Sequence, residues 1–237
     1  AIGVEFAGSD TVADFSHPRS MTDRTCVTES LTLSGPLHNR IPAPGAQDNN
    51  TLWLPEFEPD YYRRILFDPQ GHTARVRPDL VDPDDGGAGI DIAGSSLQAF
   101  YHRASGGRLS FEPGPAGVVA WVAVPHSEAW YGASACRNGI APDIADMTGL
   151  PGNPRAGLGA RQLVVDAAEA IRASRPDFPW ADYDTDGDGA VDHVILFHAG
   201  KDKANGGGIE GWQAIWAHSD AVDARRGGYT VDDGGTP

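Results

Sequence analysis

Cysteine is almost missing: Cys26 and Cys136 are the only two in 237 residues. That excludes a zinc knuckle or a CxxC redox pair, both of which need closely spaced cysteines. It leaves either one long-range disulfide, which would add about 3 to 5 kcal/mol in an oxidising compartment, or two free thiols. Positive charge is scarce as well. Against 33 Asp plus Glu stand 18 Lys plus Arg, a formal net charge of -15, the wrong sign for gripping a phosphate backbone, so nucleic acid is not an expected partner. No apolar run is long enough to cross a bilayer, and no transmembrane segment is expected. Nor does the chain open on a signal peptide, because Ala1 to Phe6 (AIGVEF) has neither a basic start nor a long apolar centre. That stretch reads as a strand met partway along. The sequence is therefore expected to be processed or cut, and the lack of a leader does not argue for the cytoplasm.

What remains is globular composition, 40% hydrophobic and 22% charged, at a length that suits one large domain better than two small ones. Ile2, Val4 and Phe6 alternate as a core strand does, and Gly8-Ser9-Asp10 closes it like a turn. From there to Pro55 the text is dominated by turn-forming residues, with Val27 to Leu33 the one further strand expected. Pro59 starts a helix that carries Tyr61, Tyr62, Ile65, Leu66 and Phe67 and stops at Asp68-Pro69. Ser95 and Ser96 can cap a second helix with Leu97, Phe100, Tyr101 and Ala104 on one face, ending at Gly106-Gly107. Leu109 and Phe111 alternate as a short strand, and Val118 to Val124 reads as a buried one that Pro125 ends. Arg161 to Ala173 gives the clearest helix, with Leu163, Val164, Ala167, Ala168 and Ile171 at helical steps.

The stretch that speaks most about chemistry is DYDTDGDGAVDHVILFHAG, Asp182 to Gly200. Asp184, Asp186 and Asp188 alternate with small residues, Gly189 follows, Ala190 offers a backbone carbonyl and Asp192 a further carboxylate. Such crowding of like charge needs a cation, and hard oxygen ligands at this spacing suit calcium. The spacing follows an EF-hand loop for over half its length but has Ile195 where the bidentate Glu would stand. The expectation is a structural calcium loop at the entrance of a strand, Val191 to His198, completed from elsewhere, with Asp182 as a nearby candidate. An Asp/Gly-rich turn without an ion is the plainer alternative.

Both faces of that strand are largely apolar, as in a central strand. His198 at its far end is either a hydrogen-bonded core histidine or a residue near an active site. Gly206, Gly207 and Gly208 then precede AIWAH, Ala214 to His218, read as another strand. Glycines beside an edge strand would let an extended substrate peptide pair with the backbone, which makes His198, the three glycines and His218 candidates for a substrate cleft. The alternative for the glycines is a mobile loop.

Taken in order, ADYDTDGDGAVDHVILFHAG, GGG, AIWAHS and YTVDDGG closely resemble the catalytic domain of the immune inhibitor A family of secreted bacterial zinc metallopeptidases. SLQAFYHRASGGRLSF, HSEAWYG and AIGVEF are similar to earlier elements of the same family, so the likeness spans nearly the whole chain. The resemblance implies an α+β, zincin-like metallopeptidase domain, a mixed twisted β-sheet with covering helices. It implies catalytic zinc held by an HExxH helix and a downstream acidic residue, with the Glu as general base, and a secreted endopeptidase acting on proteins or peptides. In the family HExxH comes shortly after the Tyr-Thr-plus-acidic segment, here Tyr229 to Gly235, and these 237 residues contain none. The chain also lacks a Glu that the family places before the three glycines. Residues 1–237 are accordingly expected to be the N-terminal portion of a single catalytic domain, incomplete at its C-terminal end. Such a portion would supply sheet and calcium loop, hold no catalytic residue, be inactive alone, and have the remainder of the domain as its partner. A non-catalytic calcium-binding or protease-like interaction domain is the rival reading.

Overall fold

A computed structural model describes residues 1–20, 22–48, 51–80, 89–136, 139, 159–217, 219 and 222. Its contacts divide into two compact units, one built of Asn39–Ala120 with Ala1, the other of Ile2–His38 and the described residues from Trp121 onward.

In the first unit, Pro59 and Asp60 open α1 (Pro59–Phe67), where the proline's missing N–H costs nothing and the Asp60 carboxylate takes Arg63 and Arg64 at 2.7 and 2.8 Å. Tyr61, Tyr62 and Leu66 form its buried face. Helix α2 (Leu97–Ala104) is capped as expected, the Ser96 hydroxyl accepting from the Ala99 N–H at 3.0 Å. Between the helices lies an antiparallel pair, β4 (His72–Val76) and β5 (Ile90–Gly94), in register from His72 opposite Gly94 to Val76 opposite Ile90. Ala99 is the buried residue of α2, and Phe100 and Tyr101 are 55% and 39% exposed. One expectation fails here. Leu109 and Phe111 are not in a strand, because the Ser105 hydroxyl accepts the N–H groups of Arg108 and Leu109 and Gln98 accepts that of Phe111, drawing the backbone donors back onto α2.

The second unit is organised on β1 (Ile2–Glu5), the centre of a three-stranded sheet of order β6-β1-β7. Its neighbour β6 (Val119–Ala123) follows the expected boundaries within a residue, with the Val124 N–H reaching Glu5 O at 2.9 Å. On the other side is β7, which is only Leu196–Phe197, parallel to Ile2 and Gly3. The expected strand Val191 to His198 is therefore cut to two residues. It is shortened because Asp192 is held back toward the acidic loop by its N–H bond to Tyr183 O, and among the described strands it lies at an edge instead of the centre.

A second sheet runs through the stretch after residue 8 where turn-forming residues dominate the sequence, and it includes the strand expected at Val27 to Leu33. Ser9–Pro18 is a ten-residue strand, β2, paired antiparallel with β3 (Cys26–Ser34). The register slips between Val12 and Phe15, and Asp14 sits at φ +49°, a bulge that turns Phe15 and His17 inward. Phe15 and Leu33, both wholly buried, pack with Ala129, Ala133 and Trp212. Cys26 and Cys136 are joined, S–S 2.02 Å with the Cα atoms 6.2 Å apart, and the Cys136 N–H bonds Ser16 O at 2.7 Å. Helix α3 (Glu128–Gly132) is a five-residue piece; α4 (Ala160–Ser174) matches the expected helix and buries Leu163, Ala167, Ala168 and Ile171.

Ala214 to Ala217 form no strand: a short 3₁₀ turn, Gly211–Gln213, leads into them, and their backbone groups bond partly to the Glu128 and Asp202 side chains and partly to the backbone of Lys203 and Gly211. His218 and Tyr229 to Gly235 lie outside the described residues.

Candidate functional site

The acidic loop starts from a 3₁₀ turn, Trp180–Tyr183, anchored by the Tyr183 ring stacked on Phe178 at 5.6 Å. Asp184 then folds the chain around itself. One of its carboxylate oxygens accepts from the N–H groups of Gly187 (2.8 Å) and Asp188 (3.1 Å), the other from Gly189 (2.8 Å). Asp186 accepts from Asp188 N–H, and Asp188 from Ala190 N–H. These local turns bring oxygens of Asp184, Asp186 and Asp188 within 4.8 Å of one another. Asp192 is not among them. It accepts from both the hydroxyl and the N–H of Thr185, which hold its carboxyl below the usual range, so it clasps the loop shut. Ala190 and Asp182 are exposed, and the Asp182 carboxylate is not part of the trio.

His198 is half-buried, edge-on to the Phe6 ring at 5.7 Å. Its Nδ1 lies 2.8 Å from Ala199 O. A carbonyl can only accept, so Nδ1 carries the proton; desolvation lowers the ring's pKa, partly opposed by that bond and by Asp202. Gly206, Gly207 and Gly208 are not beside a strand. They form a tight turn at positive φ, with the Gly207 N–H on Asp202 O and the Gly211 N–H on Gly207 O. A Cβ on Gly207 would stand 2.1 Å from Gly211 O, so this glycine serves turn closure; among the described residues no strand runs beside the three glycines.

The densest polar construction is the heptapeptide His126-Ser127-Glu128-Ala129-Trp130-Tyr131-Gly132. Ser127 caps α3, accepting from the Trp130 N–H while its hydroxyl donates to Asp10 and lies 3.1 Å from Leu33 O. Asp10 also receives the Ser127 N–H and His126 Nδ1, at 2.7 and 2.8 Å. Burial pushes Asp10 up, but these bonds outweigh it and leave its pKa lowered. Asp10, His126 and Ser127 are no nucleophilic triad, since the buried hydroxyl is turned onto the carboxylate, away from the imidazole. Tyr131 donates to Asp166 of α4 at 2.7 Å, and Gln162 secures the other oxygen.

Glu128 and Lys203 are 0% and 1% exposed. Glu128 Oε1 accepts the Ile215 N–H at 3.1 Å, while Lys203 Nζ donates to Gly132 O at 2.6 Å and lies 3.3 Å from Ser134 Oγ. Burial pushes Glu128 up to about 8, against the Ile215 bond, and brings Lys203 down to about 8, against the pull of Glu128 and Asp202. Neither residue stands out in the sequence, because nothing in the local pattern marks an isolated Glu or Lys as buried.

With this geometry in view, the catalytic-domain profile of the immune inhibitor A peptidase M6 family matches residues 19–235. The chain belongs to that family. Among curated proteins, this M6 chain is 33% identical over 192 residues to immune inhibitor A of Bacillus thuringiensis subsp. alesti, covering 76% of the chain and 23% of that protein. It is 25% identical over 185 residues to pre-pro-metalloprotease PrtV of Vibrio cholerae serotype O1 (strain M66-2), covering 73% and 16%. The M6 chain thus spans less than a quarter of the length of these relatives.

Proposed function

We propose that this M6 chain is the N-terminal portion of the catalytic domain of a secreted zinc endopeptidase that hydrolyses peptide bonds in proteins. The carrying observation is the family match, which runs through both compact units; the relatives' names, immune inhibitor A and metalloprotease, agree with it. The Cys26–Cys136 bond supports an oxidising, extracellular setting, and no helix among the described residues is long and apolar enough to cross a membrane.

Zinc does not fit the residues at hand. The 237 residues contain no HExxH, and among the described residues the sole group of three or more metal-ligand side chains is the Asp184, Asp186, Asp188 trio, whose hard oxygens do not suit a histidine-type zinc centre. No step is therefore derived through zinc, and residues 1–237 alone are expected to be inactive. Calcium does fit the trio, because three carboxylate oxygens converge where only oxygen ligands are on offer. Asp184, Asp186 and Asp188 would hold the ion, with the carbonyl of Ala190 within the same turn, and the ion would brace the loop before β7.

Hydrolysis of labelled casein by the full-length protein, abolished by a zinc-selective chelator and absent from residues 1–237, is the expected result. A full-length protein that binds calcium but cleaves nothing would instead favour the non-catalytic interaction domain. For the loop, calcium should raise the melting temperature of the wild type and leave Asp186→Ala unchanged; equal responses would refute the ligand assignment.

A further inference from the structure

Among the described residues no strand runs beside residues 214–217, and their backbone groups are held by the side chains of Glu128 and Asp202 and by the Lys203 backbone. The Ile215 N–H donates to Glu128, the Ile215 carbonyl accepts from the Lys203 N–H at 3.0 Å, and the Ala217 N–H donates to Asp202. Glu128 and Asp202 both act electrostatically on Lys203. Glu128 is pressed from two further sides, since a Cβ added at Gly35 would lie 2.6 Å from its Cβ and one at Gly200 3.1 Å from Oε2. Oε2 itself has no hydrogen-bond partner among the described residues.

We propose that Glu128 and Lys203 form a proton-operated latch on Ile215, which holds residues 214–217 closed while the Glu128 carboxyl is protonated and loosens them when it ionises. The reason is geometric. A protonated Glu128 can accept the Ile215 N–H while burying no charge, and the ammonium of Lys203 has Gly132 O and Ser134 Oγ to itself. An ionised Glu128 would leave a charged oxygen enclosed beside Gly35 and Gly200 with no donor, a costly state that local opening to water relieves. The other ionisable groups acting on the pair are Glu210, which opposes ionisation of Glu128, and Asp202, which favours the charged form of Lys203 and also acts on His198. Burial of both members shifts each toward its neutral form, with the two transitions meeting near pH 8.

On the reading above, the latched segment joins the core to the rest of the peptidase domain, so loosening it would tie activity to pH. The test does not depend on that reading. Hydrogen exchange of the Ile215 and Ala217 amides in the full-length protein, normalised to intrinsic rates, should show protection falling at least tenfold between pH 5.5 and 8. In Glu128→Gln, which keeps an oxygen for the Ile215 N–H but cannot ionise, protection should not vary with pH. Flat protection in the wild type, or the wild-type slope persisting in Glu128→Gln, would overturn the latch. If Glu128→Gln does not fold, the wild-type series decides alone. Casein hydrolysis by the same samples separates the two proposals: no cleavage at any pH removes the peptidase reading while leaving the exchange result standing.

Discussion

Removing the Cys26–Cys136 bond in a Cys26→Ala/Cys136→Ala variant should lower the stability of the chain by several kcal/mol through its unfolded state. The bond spans 110 residues, and closing a loop of that size removes about 4.8 kcal/mol of chain entropy from the unfolded ensemble at room temperature. Little should be lost on the folded side. The Cys136 N–H to Ser16 O bond and the pairing of Cys26 with Pro18 are made by backbone, and neither needs sulfur. At about 2 to 4 °C per kcal/mol for a protein of this size, the melting temperature should drop by roughly 10 to 19 °C. Thermal unfolding followed by circular dichroism should place oxidised wild type well above the double variant, with wild type in reductant beside the variant. A drop of under about 3 °C, or reduced wild type melting with the oxidised form, would refute the loop-closure argument.

The buried pair makes a pH expectation with a definite sign. Glu128 is raised from 4.5 to about 8, so its share of stability is whole below pH 4.5 and is lost as pH climbs to 8, on the order of 4 kcal/mol. Lys203 is lowered from 10.5 to about 8, so its share is whole above pH 10.5 and is lost as pH falls to 8. Urea midpoints should therefore show a trough near pH 8, and Glu128→Gln should lose the acid-side limb alone; an unchanged limb would contradict the assignment. Leu33→Ala, which empties a wholly buried site against Phe15 and Trp212, should cost about 2 to 5 kcal/mol in urea unfolding, and a cost below about 1 would mean that the hairpin is not docked on α3. Gly132→Ala would set a Cβ 2.3 Å from Gln213 O and 2.4 Å from Ala214 C, a clash with backbone that should destabilise by about 1 to 3 kcal/mol; a neutral result would show that residues 213–214 are free to move.

Helix α4 was legible because its periodicity survives intact, and β6 because its apolar run ends at a proline. Leu163, Ala167, Ala168 and Ile171 recur at one helical step after another, and all four are buried. The ribbon β2 was hidden by a single extra residue. Alternation places Asp10 and Val12 on one face, then the bulge at Ala13-Asp14 shifts phase, and Phe15 and His17 continue on that same inner face one residue late. A period-two reading cannot follow such a slip. The convergence of Asp184, Asp186 and Asp188 follows from turns contained in a few consecutive residues, so a local window contains it whole. Asp192 stands outside that trio, its oxygen taken by the hydroxyl and amide of Thr185. Glu128 and Lys203 were invisible because the Ile215 and Gly132 partners of their side chains lie 87 and 71 residues away, which no local window contains.

That remoteness sets an order of events during synthesis. The heptapeptide at α3 has one polar partner, Asp10, made 117 residues before Ser127, and another, Ile215, made 87 residues after Glu128. At ordinary elongation rates of about 5 to 20 residues per second, the ribosome delivers Ile215 roughly 4 to 17 s after Glu128. Throughout that interval Glu128 stands in water as an ordinary carboxylate, and the centre of the second unit cannot close. A chain kept open this long stays competent to be threaded through a narrow channel before its core exists.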